Sequence, residues 1–427
     1  MRRLVGLPRR GYNSRSSSHE GENPGVIPRF KPYLDTEELY AAFRLQKDAV
    51  EHFEAAFART FETRHGIAFR YGRSALWALF RALHIEGSEV IMPAFTCTVV
   101  GHAVVLSGNM PRFVDITLRD YNMDLEQVAA AITAQTRAII ATHLFGYPVN
   151  TAQLDESLRS AEAKWGHKIW AIHDCAQAIG SRWQGRLVCR AGDAALFSLH
   201  VSKPLTCIAG GMITTDNADV HRKLRAFRNE QFAAPSSVLR LRTYYHLVKS
   251  YLRYSEPVYY WVDWLKENTC LLGMLRRGRR PLGGIGFPQD HLSQMVAAEA
   301  RIGLSQLRKY PDMVRAQRDN ARYYAERLQA VPHIALPPLV DGATYSQYVV
   351  RVPHRQAVMA SARRHGVHLA PWIDYSLPAT TAFNRYSHNR AFPNAQVCSE
   401  TSVSLPTYAA LTEEQRARVV EALLRTP

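Results

Sequence analysis

Two stretches of the chain decide the predicted fold: HDCAQAIGS at residues 173–181, and LFSLHVSKPLTCIAGGMITT at residues 196–215. The first follows a short apolar run and the second begins in one, and such runs between turn signals are typical of buried β-strands. Both continue into loops of polar and small residues. Because the carboxyl ends of strands in an open α/β sheet form its ligand site, these loops predict both the fold class and the location of the site.

The surrounding sequence continues the same pattern from about residue 66 to 215. Short apolar and β-branched runs alternate with stretches, such as 74–83 and 125–133, in which apolar residues recur at helical spacing. This alternation predicts a mostly parallel sheet with helices on both faces. The predicted strands are 90–92, 112–115, 138–142, 169–173, 194–198 and 212–215.

Four regions are expected along the chain. Residues 1–27 are basic and Ser-rich, and we expect a disordered tail without the apolar stretch of a secretory signal. Residues 28–235 form the large α/β domain, and residues 236–285 form an insertion crowded with Tyr, Trp, Arg and Lys. Residues 286–427 form a helical connection and a smaller α+β domain. Within that last region the expected elements are a long helix or helix pair at 293–328, a strand at 345–352, and helices at 355–365 and 412–424.

The polar residues of the two stretches suit one kind of cofactor. A carboxylate at Asp174 can pair with a protonated pyridine nitrogen, which keeps such a ring able to accept electrons. An amine at Lys203, in the loop after a neighbouring strand, can form a Schiff base. Ser198 can donate its hydroxyl to a phosphate, and Gly210 and Gly211 let the backbone approach a ligand closely. Together these residues indicate pyridoxal phosphate (PLP).

These stretches resemble the DegT/StrS family of sugar aminotransferases, whose motifs run Glu-Asp-Ala-Ala-Gln-Ala-x-Gly and Phe-Ser-Phe-His-x-x-Lys followed by Gly-Gly. The resemblance covers about residues 28–425, and its motifs occur in the family's order. Several separate matches make it more specific than a single glycine-rich loop. The other matching segments are YGRSALWALFRAL (71–83), EVIMPAFTC (89–97), FVDIT (113–117), THLFGYPVN (142–150), IGLSQL (302–307) and SLPTYAALTEEQ (404–415).

The resemblance implies a PLP-dependent transferase of fold type I, acting as a homodimer with shared active sites and usually taking its amino group from glutamate. By position, Lys203 would hold the cofactor as a Schiff base and shuttle the proton. Asp174 would bind the pyridine nitrogen. Gln177 would lie near the ring hydroxyl, and Ser198 would bind the phosphate.

Three features of the expected cofactor site depart from the family pattern. Gly72 and Arg73 stand at the family's first phosphate-binding turn, ahead of a helix whose N-terminal amides favour an anion. Arg73 replaces the usual Thr, and a guanidinium can also bind phosphate. The aromatic residue that stacks on the cofactor ring is replaced by Cys97, so either Phe95 stacks there or the ring is held otherwise. The segment 284–295, GIGFPQDHLSQM, lacks the Asn that usually reaches the partner's phosphate.

Composition restricts the partners. The 427 residues include 53 Lys and Arg against 37 Asp and Glu, a formal charge of +16, which favours anionic partners such as nucleotide diphosphates or anionic lipid. No motif of a nucleic-acid-binding module occurs, so nucleic acid is not an expected partner. The six cysteines form no CxxC pair, so we expect no metal site and a reducing cytoplasm. No run of about 18 apolar residues occurs, which argues against a transmembrane helix.

The aromatic and basic insertion has two interpretations. Rings interleaved with Arg and Lys suit a bilayer interface, which predicts weak membrane-surface contact through residues 240–280, peripheral to the inner membrane face. Alternatively, the segment packs on the body of the enzyme or on a second subunit.

Three functions remain open. The leading one is transfer of an amino group from glutamate to a keto sugar on a nucleotide diphosphate, because family resemblance and charge agree. A relative of the same family could instead act on a cyclitol ketone or make an amino-substituted aromatic acid. Family sugar dehydratases have His in place of the Schiff-base Lys, so Lys203 argues against that activity. A non-catalytic binder of nucleic acid or membrane would have no need for both Lys203 and Asp174.

Overall fold

The computed structural model describes residues 26–255, 258–259 and 284–425. Short apolar and β-branched runs form its strands, because side chains of such runs alternate between the two faces of a sheet. The strands, in chain order, are β1 His65–Phe69, β2 Glu89–Pro93, β3 Met110–Val114, β4 Thr136–Thr142, β5 Trp170–Asp174, β6 Arg182–Trp183, β7 Arg186–Leu187, β8 Ala194–Ser198, β9 Gly211–Thr215, β10 Tyr348–Arg351 and β11 Ser402–Leu405.

Stretches with apolar residues at helical spacing form the helices. In Gly72–Ala82, the buried Leu76, Leu79 and Phe80 lie on one side of the helix. Asp124 begins another helix by accepting hydrogen bonds from its first turn. The helices, in chain order, are α1 Thr36–Phe43, α2 Ala49–Thr60, α3 Gly72–Ala82, α4 Thr98–Leu106, α5 Leu125–Ala131, α6 Thr151–Trp165, α7 Ala218–Gln231, α8 Ser237–Arg253, α9 Ala297–Leu328, α10 Arg355–Arg364, α11 Pro393–Thr401 and α12 Glu413–Leu424.

The main sheet has seven strands in the order β1-β9-β8-β5-β4-β2-β3. The pairs among β8, β5, β4, β2 and β3 are parallel, whereas β9 runs antiparallel to both β1 and β8. The antiparallel strand follows from chain connectivity, since β8 and β9 are consecutive and the loop between them returns the chain as a hairpin. The predicted α/β class with a mostly parallel sheet is confirmed.

Helices cover both faces of the sheet. Adjacent residues of the central strand β4 point to opposite faces: Ile140 packs in the core cluster that includes Leu76 of α3, and Ile139 packs in the cluster that includes Leu154 of α6. All four side chains are fully buried. Burial of each such side chain stabilises the fold by roughly 1.5–3 kcal/mol.

The strand β1 was not predicted, because its five residues contain Gly66 and show no clear alternation. Glycine is required there for packing. A Cβ on Gly66 would lie 2.8 Å from the backbone oxygen of Glu54 in α2, which crosses close to the strand. Gly66 therefore weakens the sequence signal for a strand, but the close approach of α2 requires it.

The C-terminal part of the described chain pairs β10 with β11 in an antiparallel ladder, and α12 packs on α9 and α10. The predicted helix or helix pair at 293–328 is one helix, Ala297–Leu328, which continues through Pro311. These elements share the main core, since Tyr121 donates its hydroxyl hydrogen to the carbonyl oxygen of Val349 at 2.9 Å. The predicted domain boundaries at 235 and 286 stay predictions.

The predicted insertion begins with helix α8. Ser236 caps it by accepting a hydrogen bond from the amide of Leu239, and Leu239 and Leu247 pack in a cluster with Ile302 of α9. Residues 256–257 and 260–283 of the insertion and the predicted tail up to residue 25 lie outside the described residues. In the part of the chain that the structure describes, no helix combines the length and apolar character needed to cross a bilayer.

Candidate active site

A cavity of about 390 Å³ lies at the carboxyl ends of the sheet strands. It forms where β4, β5 and β8 end, with the start of α3 and the loop before α4 completing its walls. All the predicted site residues except Phe95 line it, and the lining residues among them are Gly72, Arg73, Cys97, Asp174, Gln177, Ser198 and Lys203.

Lys203 lies in the loop of the β8–β9 hairpin. Its backbone amide donates to the carbonyl oxygen of His200 at 2.8 Å, and the amide of Leu199 donates to that of Gly210 at 2.9 Å, so the loop is anchored at its base and near its tip. Burial lowers the pKa of the Lys203 amine, while Cys97 and Asp174 act in the opposite direction. A lowered pKa increases the neutral fraction of the amine, which is the form that can attack a carbonyl carbon or accept a proton.

Asp174 is the last residue of β5, and its carboxyl group is buried at the cavity. One carboxylate oxygen accepts a hydrogen bond from the amide of Ala176 at 3.0 Å, and the Thr142 hydroxyl lies 3.4 Å from the other. Burial raises the pKa of Asp174, while the Ala176 amide, the charge of Lys203 and the Thr142 hydroxyl lower it. The carboxylate is thus oriented by neutral donors and can accept a further cation in the cavity.

The first turn of α3 and the end of β8 form one small cradle. A Cβ on Gly72 would lie 3.5 Å from the Cβ of Ser198, so the helix N-terminus and the Ser198 hydroxyl face the same space. A Cβ on Gly211 would lie 2.4 Å from the amide nitrogen of Gly72, so glycine is required for β9 to pass beneath that turn. Helix amides with an adjacent hydroxyl suit a phosphate group. The guanidinium of Arg73, which follows Gly72 in the chain, donates a hydrogen bond to the carbonyl oxygen of Gly286.

Two buried polar atoms of the lining fit a bound cofactor. The Oε1 atom of Gln177 and the Oγ1 atom of Thr96 have no hydrogen-bond partner among the described residues. A buried polar atom without a partner costs stability, about 1–3 kcal/mol, which a ligand that bonds to it recovers. With the Lys203 amine, the Asp174 carboxylate and the phosphate cradle, these atoms fit PLP.

Of the two possibilities left open by the sequence, that Phe95 stacks on the cofactor ring or that the ring is held otherwise, the position of Phe95 does not support the first. Phe95 is fully buried and packs edge-on against Phe145, with ring centroids 6.3 Å apart, and it does not line the cavity. The path of the backbone explains this, because Cys97, two residues further on, lies at the cavity instead. Two aromatic side chains, Tyr71 and Trp372, line the cavity, and Trp372 packs against Phe30 and lies 5.2 Å from the Arg29 guanidinium.

The sequence predicts only that the segment 284–295 lacks the family's Asn. In the structure this segment contributes to the cavity wall. Pro288 lines the cavity, and Asp290 accepts hydrogen bonds from Arg70 at 3.0 Å and from the Tyr71 hydroxyl at 2.9 Å. Arg70 also pairs with the buried Glu299 of α9. Sequence reasoning missed several other lining residues, because the matching segments assign them no role and their positions depend on tertiary contacts. They include Trp372, Tyr71, Thr96 and Thr142.

A pair of buried histidines lies behind Asp174. The amide of Val149 donates to Nδ1 of His143 at 2.9 Å, so His143 carries its proton on Nε2 and donates it to Nδ1 of His173, also at 2.9 Å. Both rings are then neutral. Burial lowers the pKa of His173 to about 4, and burial together with His173 lowers that of His143 well below its ordinary value.

This pair predicts a loss of stability in mild acid. Between about pH 6.5 and about pH 4 the unfolded chain binds protons that folded His173 does not, so the free energy of unfolding falls as the pH falls. His173 alone would contribute roughly 3 kcal/mol over that window. Chemical denaturation at pH 7, 5.5 and 4.5 measures this, with H173Q as control. An equal pH dependence in wild type and H173Q would contradict the prediction.

The sheet order and the cavity together define the class. A seven-stranded sheet with one antiparallel strand, and a cavity at its carboxyl edge that holds a lysine amine and a carboxylate, are the features of a transaminase-type α/β enzyme. The chain belongs to the DegT/DnrJ/EryC1/StrS aminotransferase family, whose sequence model matches residues 37–252 and 270–424. The resemblance seen in the sequence is confirmed, and the match includes most of α8 but not residues 253–269.

Two curated relatives are similar over most of their length. A UDP-N-acetyl-3-dehydro-alpha-D-glucosamine 3-aminotransferase from Acidithiobacillus ferrooxidans is 31% identical over 379 residues, which is 87% of each chain. A GDP-perosamine synthase from Caulobacter vibrioides is 27% identical over 390 residues, 88% of this chain and 89% of the relative. Among solved structures, the sugar aminotransferase CalS13 from Micromonospora echinospora has a TM-score of 0.74 at 21% identity, covering 93% of this chain and 99% of that one. This last likeness establishes the fold.

Proposed function

We propose that the protein is a PLP-dependent aminotransferase that moves an amino group from glutamate to a keto sugar carried on a nucleotide diphosphate. The observation that carries the proposal is the convergence of Lys203 and Asp174 on one cavity, where their charges act on each other. The family and the two curated relatives, both named for nucleotide sugars, support this substrate class. The cofactor is pyridoxal phosphate.

The cofactor, when bound, supplies a pyridine ring that accepts electrons from the carbon being deprotonated. Lys203 Nζ would hold the cofactor covalently, and its lowered pKa favours the neutral amine that can accept and return a proton. Asp174 would pair with the pyridine nitrogen and favour its protonated form. Its placement by neutral donors leaves its negative charge available for that nitrogen.

The remaining residues bind and orient. Ser198 and the amides that follow Gly72 would hold the phosphate, and Gln177 Oε1, which has no partner among the described residues, would accept a hydrogen bond from the ring hydroxyl. Arg73 contributes positive charge near the phosphate while bonded to Gly286. Cys97 supplies no aromatic face, so the ring would be held by the groups at its ends and by Lys203.

We also propose the finer features that the family resemblance implies. Two copies form a homodimer with shared active sites, glutamate is the donor, and the enzyme works in the cytoplasm. The membrane-surface contact predicted for residues 240–280 is a separate proposal, and it rests on the described part of that segment.

The alternative reactions are amination of a cyclitol ketone and formation of an amino-substituted aromatic acid. The names of the curated relatives favour nucleotide sugars, and a direct comparison separates the possibilities. Purified protein with PLP and glutamate should aminate at least one sugar in a panel of UDP-linked and GDP-linked 3-keto and 4-keto sugars. Mass spectrometry detects the product, and omission of glutamate is the control. Amination of only a cyclitol ketone would replace the proposed substrate class.

A further inference from the structure

One face of the molecule exposes an unusual number of large apolar side chains. We name it the α1–α8 surface. Its members come from the end of α1 and the loop after it, and from the outer side of α8. They are Tyr40, Phe43, Leu45, Val238, Leu241, Tyr245, Val248 and Leu252, with exposed fractions between 41% and 103%.

The two groups are joined into one surface by direct contacts. Phe43 stacks on Tyr244 with ring centroids 4.8 Å apart, and the Tyr244 hydroxyl donates to the carbonyl oxygen of Ala42 at 3.3 Å. The apolar side chains at the end of α1 therefore adjoin those of α8. Contiguous exposed apolar patches of this kind often mark sites that bind another protein or a membrane.

Helix α8 has two apolar sides. Leu239, Thr243 and Leu247 are buried against the protein, at a spacing of four residues. The exposed apolar residues of α8 recur at spacings of three and four, and at 100° per residue they lie on the opposite side of the helix from the buried ones. Packing on the rest of the described chain explains only the first side. The second side needs another apolar environment.

The charges around this surface indicate which environment it is. The sequence of α8 contains no Asp or Glu, and four of its exposed residues are basic, namely Arg240, Arg242, Lys249 and Arg253. On α1, Glu37 is paired with Arg308 and with Lys309 at 3.4 Å. The surface is thus apolar with a cationic border, which is complementary to a layer of anionic headgroups over acyl chains.

We propose that the α1–α8 surface binds the surface of an anionic lipid bilayer. Helix α8 lies parallel to the membrane plane, with its outer apolar side chains among the upper acyl carbons and its basic side chains extended to the headgroups. A second copy of the chain is the weaker fit, because pairing this surface with itself would bring the basic borders together. The inference does not depend on the proposed transaminase activity.

Sedimentation with vesicles tests this. Wild type should sediment with vesicles of phosphatidylcholine and phosphatidylglycerol, and less with phosphatidylcholine alone. The double variant L241E/L252E should partition at least on the order of tenfold more weakly, because two carboxylates replace apolar groups that would enter the bilayer. The matched control L339E/L424E changes two other exposed leucines, at 48% and 54% exposure, and should bind as wild type does.

A charge variant and a mass measurement complete the test. R242Q/K249Q should weaken binding to the anionic vesicles by about fivefold for each charge removed. Circular dichroism checks that each variant is folded. Equal sedimentation of L241E/L252E and L339E/L424E would overturn the proposal. Equal binding of wild type to anionic and neutral vesicles would overturn it as well. So would a change of solution molar mass in L241E/L252E by light scattering, which would assign the surface to a second copy.

Discussion

Replacement of Lys203 by alanine will reduce amino transfer to background while the protein keeps its fold. The covalent step and the proton transfer both need this amine, and no other lysine lines the cavity in the described part of the chain. The fold does not need it, because the hairpin loop is anchored by backbone hydrogen bonds that alanine retains. Product formation from glutamate and the best sugar acceptor, with the melting temperature as the folding check, measures this.

The matched control is K203R. Arginine keeps the positive charge and most of the volume, but its guanidinium does not lose its proton in proteins, so it can act neither as a nucleophile nor as a base. K203R should be as inactive as K203A. Substantial turnover in either folded variant would mean that the reaction does not pass through this amine.

Replacement of Asp174 by asparagine will lower the turnover rate on the order of 100-fold or more. Asparagine has nearly the same shape and can accept the hydrogen bond from the Ala176 amide, so the fold and the cavity should persist. It cannot hold a proton on the pyridine nitrogen, and a 100-fold loss corresponds to about 2.7 kcal/mol of transition-state stabilisation. Steady-state kinetics with saturating PLP, acceptor and glutamate measures the change.

The pH profile of D174N separates an electrostatic role from a structural one. The Asp174 charge raises the pKa of the Lys203 amine, so its removal should shift the pKa of that amine downward. The control T142V removes only a hydroxyl at 3.4 Å from the carboxylate and should cost a few-fold at most. Near-normal turnover in D174N would show that another group keeps the ring protonated.

Much of the fold could be predicted because the central strands are strongly apolar. Runs such as Ala138–Thr142 are buried on both faces, and the observed strand includes that run and begins two residues earlier. The antiparallel direction of β9 could not be read from its residues, since strand direction depends on the connection to β8 and on pairing with β1. The edge strand β1 was hidden by Gly66, which the packing of α2 requires.

The candidate site likewise contains residues that could be predicted from the sequence and residues that could not. Asp174, Gln177, Ser198 and Lys203 lie within a few residues of strand ends, and the alignment of parallel strands brings them to one edge of the sheet. Trp372 is far away in the sequence and reaches the cavity only through the packing of the C-terminal elements. Phe95 and Cys97 are two residues apart, and only the backbone path between them decides which one faces the cavity.

Borohydride reduction followed by peptide mass spectrometry tests the Lys203 bond most directly. The purified protein, incubated with PLP, should absorb visible light, and reduction should bleach it. The reduced cofactor should then be found on the peptide that contains Lys203, and K203A should carry none at that peptide. A cofactor fixed to a different lysine, or an active protein in which Lys203 remains unmodified after reduction, would contradict the assignment of Lys203 as the residue that binds the cofactor covalently.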